Sequence, residues 1–105
     1  MIIAITSTGD SLDNSLDTHF GRCAYFMFYD TESKEYEFCP NEHKDADEKA
    51  GSAAMHLIKS RGVEKAVSGV FGMKIKSLMN DAAIQMITFQ KKIKVKDIIK
   101  LLETD

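Results

Sequence analysis

Met1-Ile2-Ile3-Ala4-Ile5-Thr6 is an almost unbroken β-branched run. A strand with one wet face alternates apolar and polar residues; this one does not, so it reads as a central strand buried on both faces, and Gly9-Asp10 ends it. Outward from it, residues 8–18 carry Gly, Ser, Asp and Asn with little periodicity and read as a loop long enough to hold a ligand. Residues 23–30 alternate as a second strand, and residues 35–39 follow after Thr31-Glu32-Ser33-Lys34, which predicts an antiparallel hairpin. Pairing Phe26 with Phe38 and Phe28 with Tyr36 makes one hairpin face aromatic and core-facing, and puts Cys23 and Cys39 together on the other.

Beyond the hairpin, helix and strand alternate. From about 48 to 61, Ala50, Ala53, Ala54, Leu57 and Ile58 mark one helical face. A strand around Ala66-Val67-Ser68 follows Gly62-Val63; after Gly69-Val70-Phe71-Gly72 a second helix groups Ile75, Leu78, Met79 and Ala82. Residues 84–88 read as a last strand, and Val95, Ile98, Ile99 and Leu102 as the stripe of a third helix. The order β-β-β-α-β-α-β-α predicts an α/β fold with a mixed five-stranded sheet, strand order 3-2-1-4-5, and three helices. That topology gathers residues 7–22, 39–47, 69–72 and 89–94 at one sheet end, where open α/β sheets bind ligands.

The whole chain narrows the function classes. Its 105 residues suit one domain spanning 1–105. Fourteen Lys and Arg against sixteen Asp and Glu leave a charge of -2, which provides no field for gathering nucleic acid. No apolar run approaches the roughly 18 residues of a membrane helix and no leader pattern is visible, so a cytoplasmic protein with reduced thiols at Cys23 and Cys39 is expected. Neither a nucleotide P-loop nor G-x-G-x-x-G is present; the first strand carries no carboxylate for a two-metal nuclease; no Ser or Cys sits in a nucleophile elbow. The expectation is a non-enzymatic protein.

What chemistry remains is soft-ligand chemistry. His19 and Cys23 have three residues between them at the entry to the second strand, as do Cys39 and His43 at the exit from the third, and both pairs fall at the same sheet end. Imidazole and thiolate suit zinc, copper, iron or iron-sulfur assemblies, so His19, Cys23, Cys39 and His43 are the candidate metal donors. Phe20-Gly21-Arg22 offers an aromatic wall, a permissive backbone and a cation beside His19. Gly69-Val70-Phe71-Gly72 precedes a helix, so its backbone N–H groups suit an anionic ligand. His56 lies off its helix's apolar stripe and reads as solvated, Met55, Met79 and Met86 read as core, and Asp10, Asp13 and Asp17 as solvated loop acids.

Asp17-Thr18-His19-Phe20-Gly21-Arg22-Cys23, the Tyr25-Phe26 strand after it, the helix opening near Ala50-Gly51, Arg61-Gly62-Val63 and the Gly69-Val70-Phe71-Gly72 loop together resemble the dinitrogenase iron-molybdenum cofactor-binding family over nearly the whole chain. The resemblance implies a ribonuclease-H-like fold and non-catalytic carriage of iron-molybdenum cofactor, or a related iron- or molybdenum-sulfur cluster, in assembly or storage. It implies His19 as ligand, with Phe20, Gly21, Arg22, Gly69, Phe71 and Gly72 shaping the pocket, and the metallocluster or its precursor, with cluster donor or acceptor proteins, as partners. The alternative from the residues alone is a protein-interaction or anion-binding regulatory module without metal.

Overall fold

The β-branched run forms β1 (Ile2–Ser7), the middle strand of a five-stranded sheet in a computed structural model that describes residues 1–45 and 49–103. Beside it, β2 (Tyr25–Asp30) pairs antiparallel, and the antiparallel β3 (Tyr36–Pro40) continues the sheet to that edge. After α1 (Lys49–Ser60), β4 (Val63–Ser68) pairs parallel with the other side of β1; α2 (Met73–Asp81) leads to the parallel edge strand β5 (Gln85–Thr88), and α3 (Val95–Glu103) follows. The sheet order is β3-β2-β1-β4-β5, as the pattern predicts. Residues 46 and 47 of the predicted 39–47 loop, and residue 48 of the predicted first helix, lie outside the described residues.

β1 reads as continuously apolar because both faces of the sheet are covered. On one face Ala4, Phe26, Phe28 and Ala66 pack with Ala54, Met55 and Ile58 of α1 and Ile75 and Met79 of α2. On the other, Ile3, Ile5, Met27, Tyr29 and Val67 pack with Val95 and Ile98 of α3 and with Leu16 of the first loop. Each fully buried Ile, Phe or Met side chain stabilises by roughly 1.5–3 kcal/mol over leaving it exposed.

The hairpin register differs from the predicted one. Phe26 lies opposite Cys39, Met27 opposite Phe38, Phe28 opposite Glu37 and Tyr29 opposite Tyr36. The turn decides this: Asp30 N–H donates to Glu35 O at 2.9 Å and Lys34 N–H to Asp30 O at 2.9 Å, with Lys34 at φ 66°, so the pair that closes the hairpin is Asp30–Glu35. Shifting a pairing by one residue moves every side chain of a strand to the other face. Phe38 therefore joins the α3 side with Tyr36 edge-on to it, and Cys39 comes to the Phe26–Phe28 face with Cys23, rather than opposite that face.

At the carboxyl ends of β1, β4 and β5 the loops interlock. The buried Thr6 hydroxyl lies 3.0 Å from both Asp17 O and Ser68 Oγ, either of which can accept its one proton, and Ser68 Oγ donates to Asp17 O at 3.4 Å. Two buried hydroxyls thus anchor the returning first loop to the sheet end, where an unpartnered hydroxyl would itself be costly.

Candidate functional site

From that anchor the chain runs through Asp17-Thr18-His19-Phe20-Gly21-Arg22-Cys23 before entering β2. Asp17 brackets the segment: its Oδ1 accepts from Thr18 N–H at 2.8 Å and its Oδ2 from Ala24 N–H at 2.9 Å. A short ladder then ties the segment to the β4–α2 loop. Val70 N–H donates to Thr18 O at 2.6 Å and Phe20 N–H to Val70 O at 3.2 Å, so that His19 and Val70 form a parallel bridge. At Gly69 a Cβ would stand 2.8 Å from Thr18 O and 3.0 Å from Thr18 Cα, so only glycine permits this approach.

Successive side chains in such a ladder point to opposite sides, and bridged residues share a side. Phe20 and Phe71 turn inward: they stack with centroids 5.4 Å apart, and Phe20 meets Phe26 edge-on at 5.5 Å. Both are buried beneath α1 and α2. His19 and Val70 turn the other way and are exposed. Gly21 seats the loop on α1, where a Cβ would lie 3.2 Å from Gly51 Cα. Arg22 is exposed and donates from Nη1 to Lys44 O at 3.3 Å, reaching the loop that leaves β3. Gly72 is the N-cap of α2, with no side-chain cap and open space where a Cβ would stand.

The four predicted metal donors do not converge. Among the described residues no group of three or more His, Cys, Asp and Glu is arranged to hold a metal ion. Cys23 is fully buried, and burial, seconded by the Asp17 carboxylate, pushes its thiol up to about 12, which leaves essentially no thiolate at neutral pH. Cys39 is half-buried and accepts from Arg61 Nη2 at 3.2 Å; Arg61 also pairs with Glu37 at 2.8 Å and lies 4.7 Å over the Phe28 ring. Burial raises the Cys39 thiol despite that guanidinium. His43 is exposed and shares with Cys39 and His56 a cleft of about 550 Å³ between the exit of β3 and α1, which does not include His19. Sequence spacing brought Cys23 to the right place in the chain but cannot show that its sulfur faces the core.

Two residues not singled out as site residues build the loop. Asn41 donates from Nδ2 to Gly21 O at 3.0 Å and to Cys23 O at 2.9 Å, while its Oδ1 accepts from His43 N–H at 3.2 Å. Asp17, read as a solvated acid, is the clasp already described; its position at the head of the His19-Phe20-Gly21-Arg22 run was the available signal. Asn41 had none beyond following Pro40.

The family model for the dinitrogenase iron-molybdenum cofactor matches residues 1–105. The chain belongs to this family. No curated protein matches it. Among solved structures, the apo form of the orange protein from Desulfovibrio gigas is similar at 24% identity and TM-score 0.89, over 96% of this chain and 85% of that one. A NifB-like protein from Thermotoga, assigned to the DUF35 family, is similar at 28% identity and TM-score 0.83, again over 96% of this chain and 85% of that one. These neighbours share the mixed-sheet α/β fold, and family membership points to a cluster-related role. Among the described residues no helix is long and apolar enough to cross a membrane.

Proposed function

We propose that this protein is a non-catalytic, cytoplasmic carrier that stores or delivers an iron- or molybdenum-containing sulfide cluster, with His19 as the protein's ligand to that cargo. The observation that carries the reading is the exposure of one imidazole on a backbone fixed by the ladder. The ladder to Gly69-Val70 holds the His19 backbone fast while its side chain is exposed and makes no hydrogen bond among the described residues. A cluster that brings its own inorganic sulfides requires of a carrier one replaceable donor and complementary charge, whereas a closed set of four protein ligands is the mark of a permanent structural site. His19 supplies the donor, an imidazole nitrogen; Arg22 supplies a cation whose N–H groups suit sulfide or oxide acceptors. Phe20 and Phe71 supply no contact to cargo in this reading; they keep the loop seated. Buried Cys23 stays outside the ligand set.

Anaerobic reconstitution with iron, molybdenum and sulfide, followed by desalting and metal analysis, tests the proposal. Wild type retains a stoichiometric metal complement and His19→Ala loses most of it. Equal, negligible retention by both proteins, under conditions that load an established carrier, ends the carrier reading. A second reading is an interaction or anion-binding module without metal, in which His19 ligates nothing. A stable partner recovered from native extract with wild type and His19→Ala alike, with or without chelator, would select it.

A further inference from the structure

The carbonyls of Gly21 and Cys23, the residues on either side of Arg22, are both held by one side chain. Asn41 Nδ2 donates to Gly21 O at 3.0 Å and to Cys23 O at 2.9 Å, which uses both protons of the amide nitrogen. The other end of the same amide serves the neighbouring loop: Oδ1 accepts from His43 N–H at 3.2 Å and shapes the turn that carries Lys44. Lys44 O is where the Arg22 guanidinium rests, 3.3 Å from Nη1. Arg22 is thus held twice through one residue, its backbone by way of Nδ2 and the acceptor of its guanidinium by way of Oδ1. Two carbonyls at one end and an N–H at the other leave the amide a single orientation.

The two partners differ in how firmly they are placed. Asn41 is buried, and its own N–H donates to Ala24 O at 2.9 Å, so its backbone is fixed by strand-like pairing before its side chain acts. Arg22 is exposed and follows glycine, the residue that stiffens a turn least. A long cationic side chain on a pliant turn spreads its charge over many rotamers, and ordering those rotamers on binding opposes affinity. A turn fixed in advance lowers that cost. Loss of the amide would also strand the Gly21 and Cys23 carbonyls and the His43 N–H together, so the effect on the turn is concentrated around Arg22.

From this we propose that Asn41 is the positioning residue of the site: it fixes the turn from which Arg22 presents its cation and so prepares that cation for an anionic ligand. The ligand's identity as cargo rests on the carrier reading; the placement of Arg22 by Asn41 does not. The chain has two arginines, and Arg61, paired with Glu37 at 2.8 Å, is the internal reference. Nitrogen-15 relaxation of the arginine Nε–H groups in metal-free protein reads the placement directly. In Asn41→Ala the order parameter of Arg22 falls by about half while that of Arg61 is unchanged. Asn41→Ser, which keeps one hydroxyl donor, carries the same comparison if Asn41→Ala does not fold. Metal retention after anaerobic reconstitution is the second readout. Asn41→Ala lowers it about fivefold, Arg22→Gln by a similar factor, and the double variant no further than Arg22→Gln alone, because the two residues act in series. Ile98→Val, which loosens the core on the other face of the sheet, retains metal as wild type does. Unchanged order at Arg22, equal loosening of Arg61, losses that multiply in the double variant, or an equal loss in Ile98→Val overturns the positioning role. The two readings fail separately: a wild type that loads no metal removes the carrier while the relaxation comparison still decides Asn41, whereas an ordered Arg22 in Asn41→Ala with His19-dependent loading removes only the positioning role.

Discussion

The two sides of the Thr18–Phe20 ladder are built from adjacent residues and do opposite things. On the inner side, Phe20, Cys23, Phe71 and Met79 are buried in one cluster with aromatic rings in direct contact. On the outer side, His19 and Val70 are exposed. Alternation along an extended backbone lets one segment serve both ends, since the residues that anchor it are not those that meet a ligand. Stability and binding are thereby separated within a single loop, and variants on the two sides should fail differently.

Phe20→Ala should produce the largest effect. Removing a buried ring that contacts Phe26 and Phe71 costs about 3–5 kcal/mol, read as a lower urea midpoint at unchanged slope. Cargo retention should fall with it, because the ladder loses its seat. A loss below about 1 kcal/mol would mean that the ring is not the anchor. Gly69→Ala comes next, at about 1–3 kcal/mol, because its new methyl would press on Thr18 backbone that cannot swing aside. Gly51→Ala is the contrast: its methyl would meet only the movable tip of Ile75 at 2.7 Å, and the midpoint should shift less than for Gly69→Ala. The reverse ranking would break the account of the ladder as a tight backbone contact.

Much of this arrangement was legible in the sequence, and the exceptions have physical causes. The unbroken run Ile2–Thr6 and the helical stripes at Ala50–Ile58 and Val95–Leu102 identify elements whose burial depends on local periodicity, and strand order follows from the alternation of strands and helices. Hairpin register depends instead on a turn closed between Asp30 and Glu35 with Lys34 in the left-handed region, a conformation for which lysine gives no signal. In the site, His19 and Phe20 stand out because imidazole, aromatic, glycine and cation fall together. Spacing makes Cys23 a candidate donor because it reports neighbourhood and not direction, and burial turns the sulfur to the core.

Alkaline pH offers a smaller test of the inner side. The Cys23 thiol titrates near 9.0 when unfolded and is pushed up to about 12 in the fold, chiefly by burial. A raised value in the folded state favours the protonated thiol, so its contribution is complete below pH 9.0 and is lost as pH climbs toward about 12. At pH 10, one unit above the unfolded value, the loss is about 1.4 kcal/mol relative to neutral pH. Tyr29, pushed up from 10.0 to about 12 by burial and by its hydrogen bond to Glu103, adds its own decline mainly at higher pH. Chemical denaturation between pH 7 and 10 should therefore show a decline in wild type that is largely absent in Cys23→Ala. The same decline in both proteins would place the responsible group elsewhere.

His19→Ala should have the smallest effect on stability and the most specific effect on function. The imidazole is exposed and makes no hydrogen bond among the described residues, while the ladder at this position is made by the backbone of Thr18, Phe20 and Val70, which the substitution leaves in place. Surface changes of this kind fall within about 0.5 kcal/mol, so the urea midpoint should match wild type within error. Retained metal after reconstitution should nevertheless drop to near background. A stability loss approaching that of Phe20→Ala would show that His19 belongs to the anchor, and would dissolve the distinction between the two sides. Normal stability together with normal metal retention would keep the distinction and move the cargo's ligand off the outer side of the ladder.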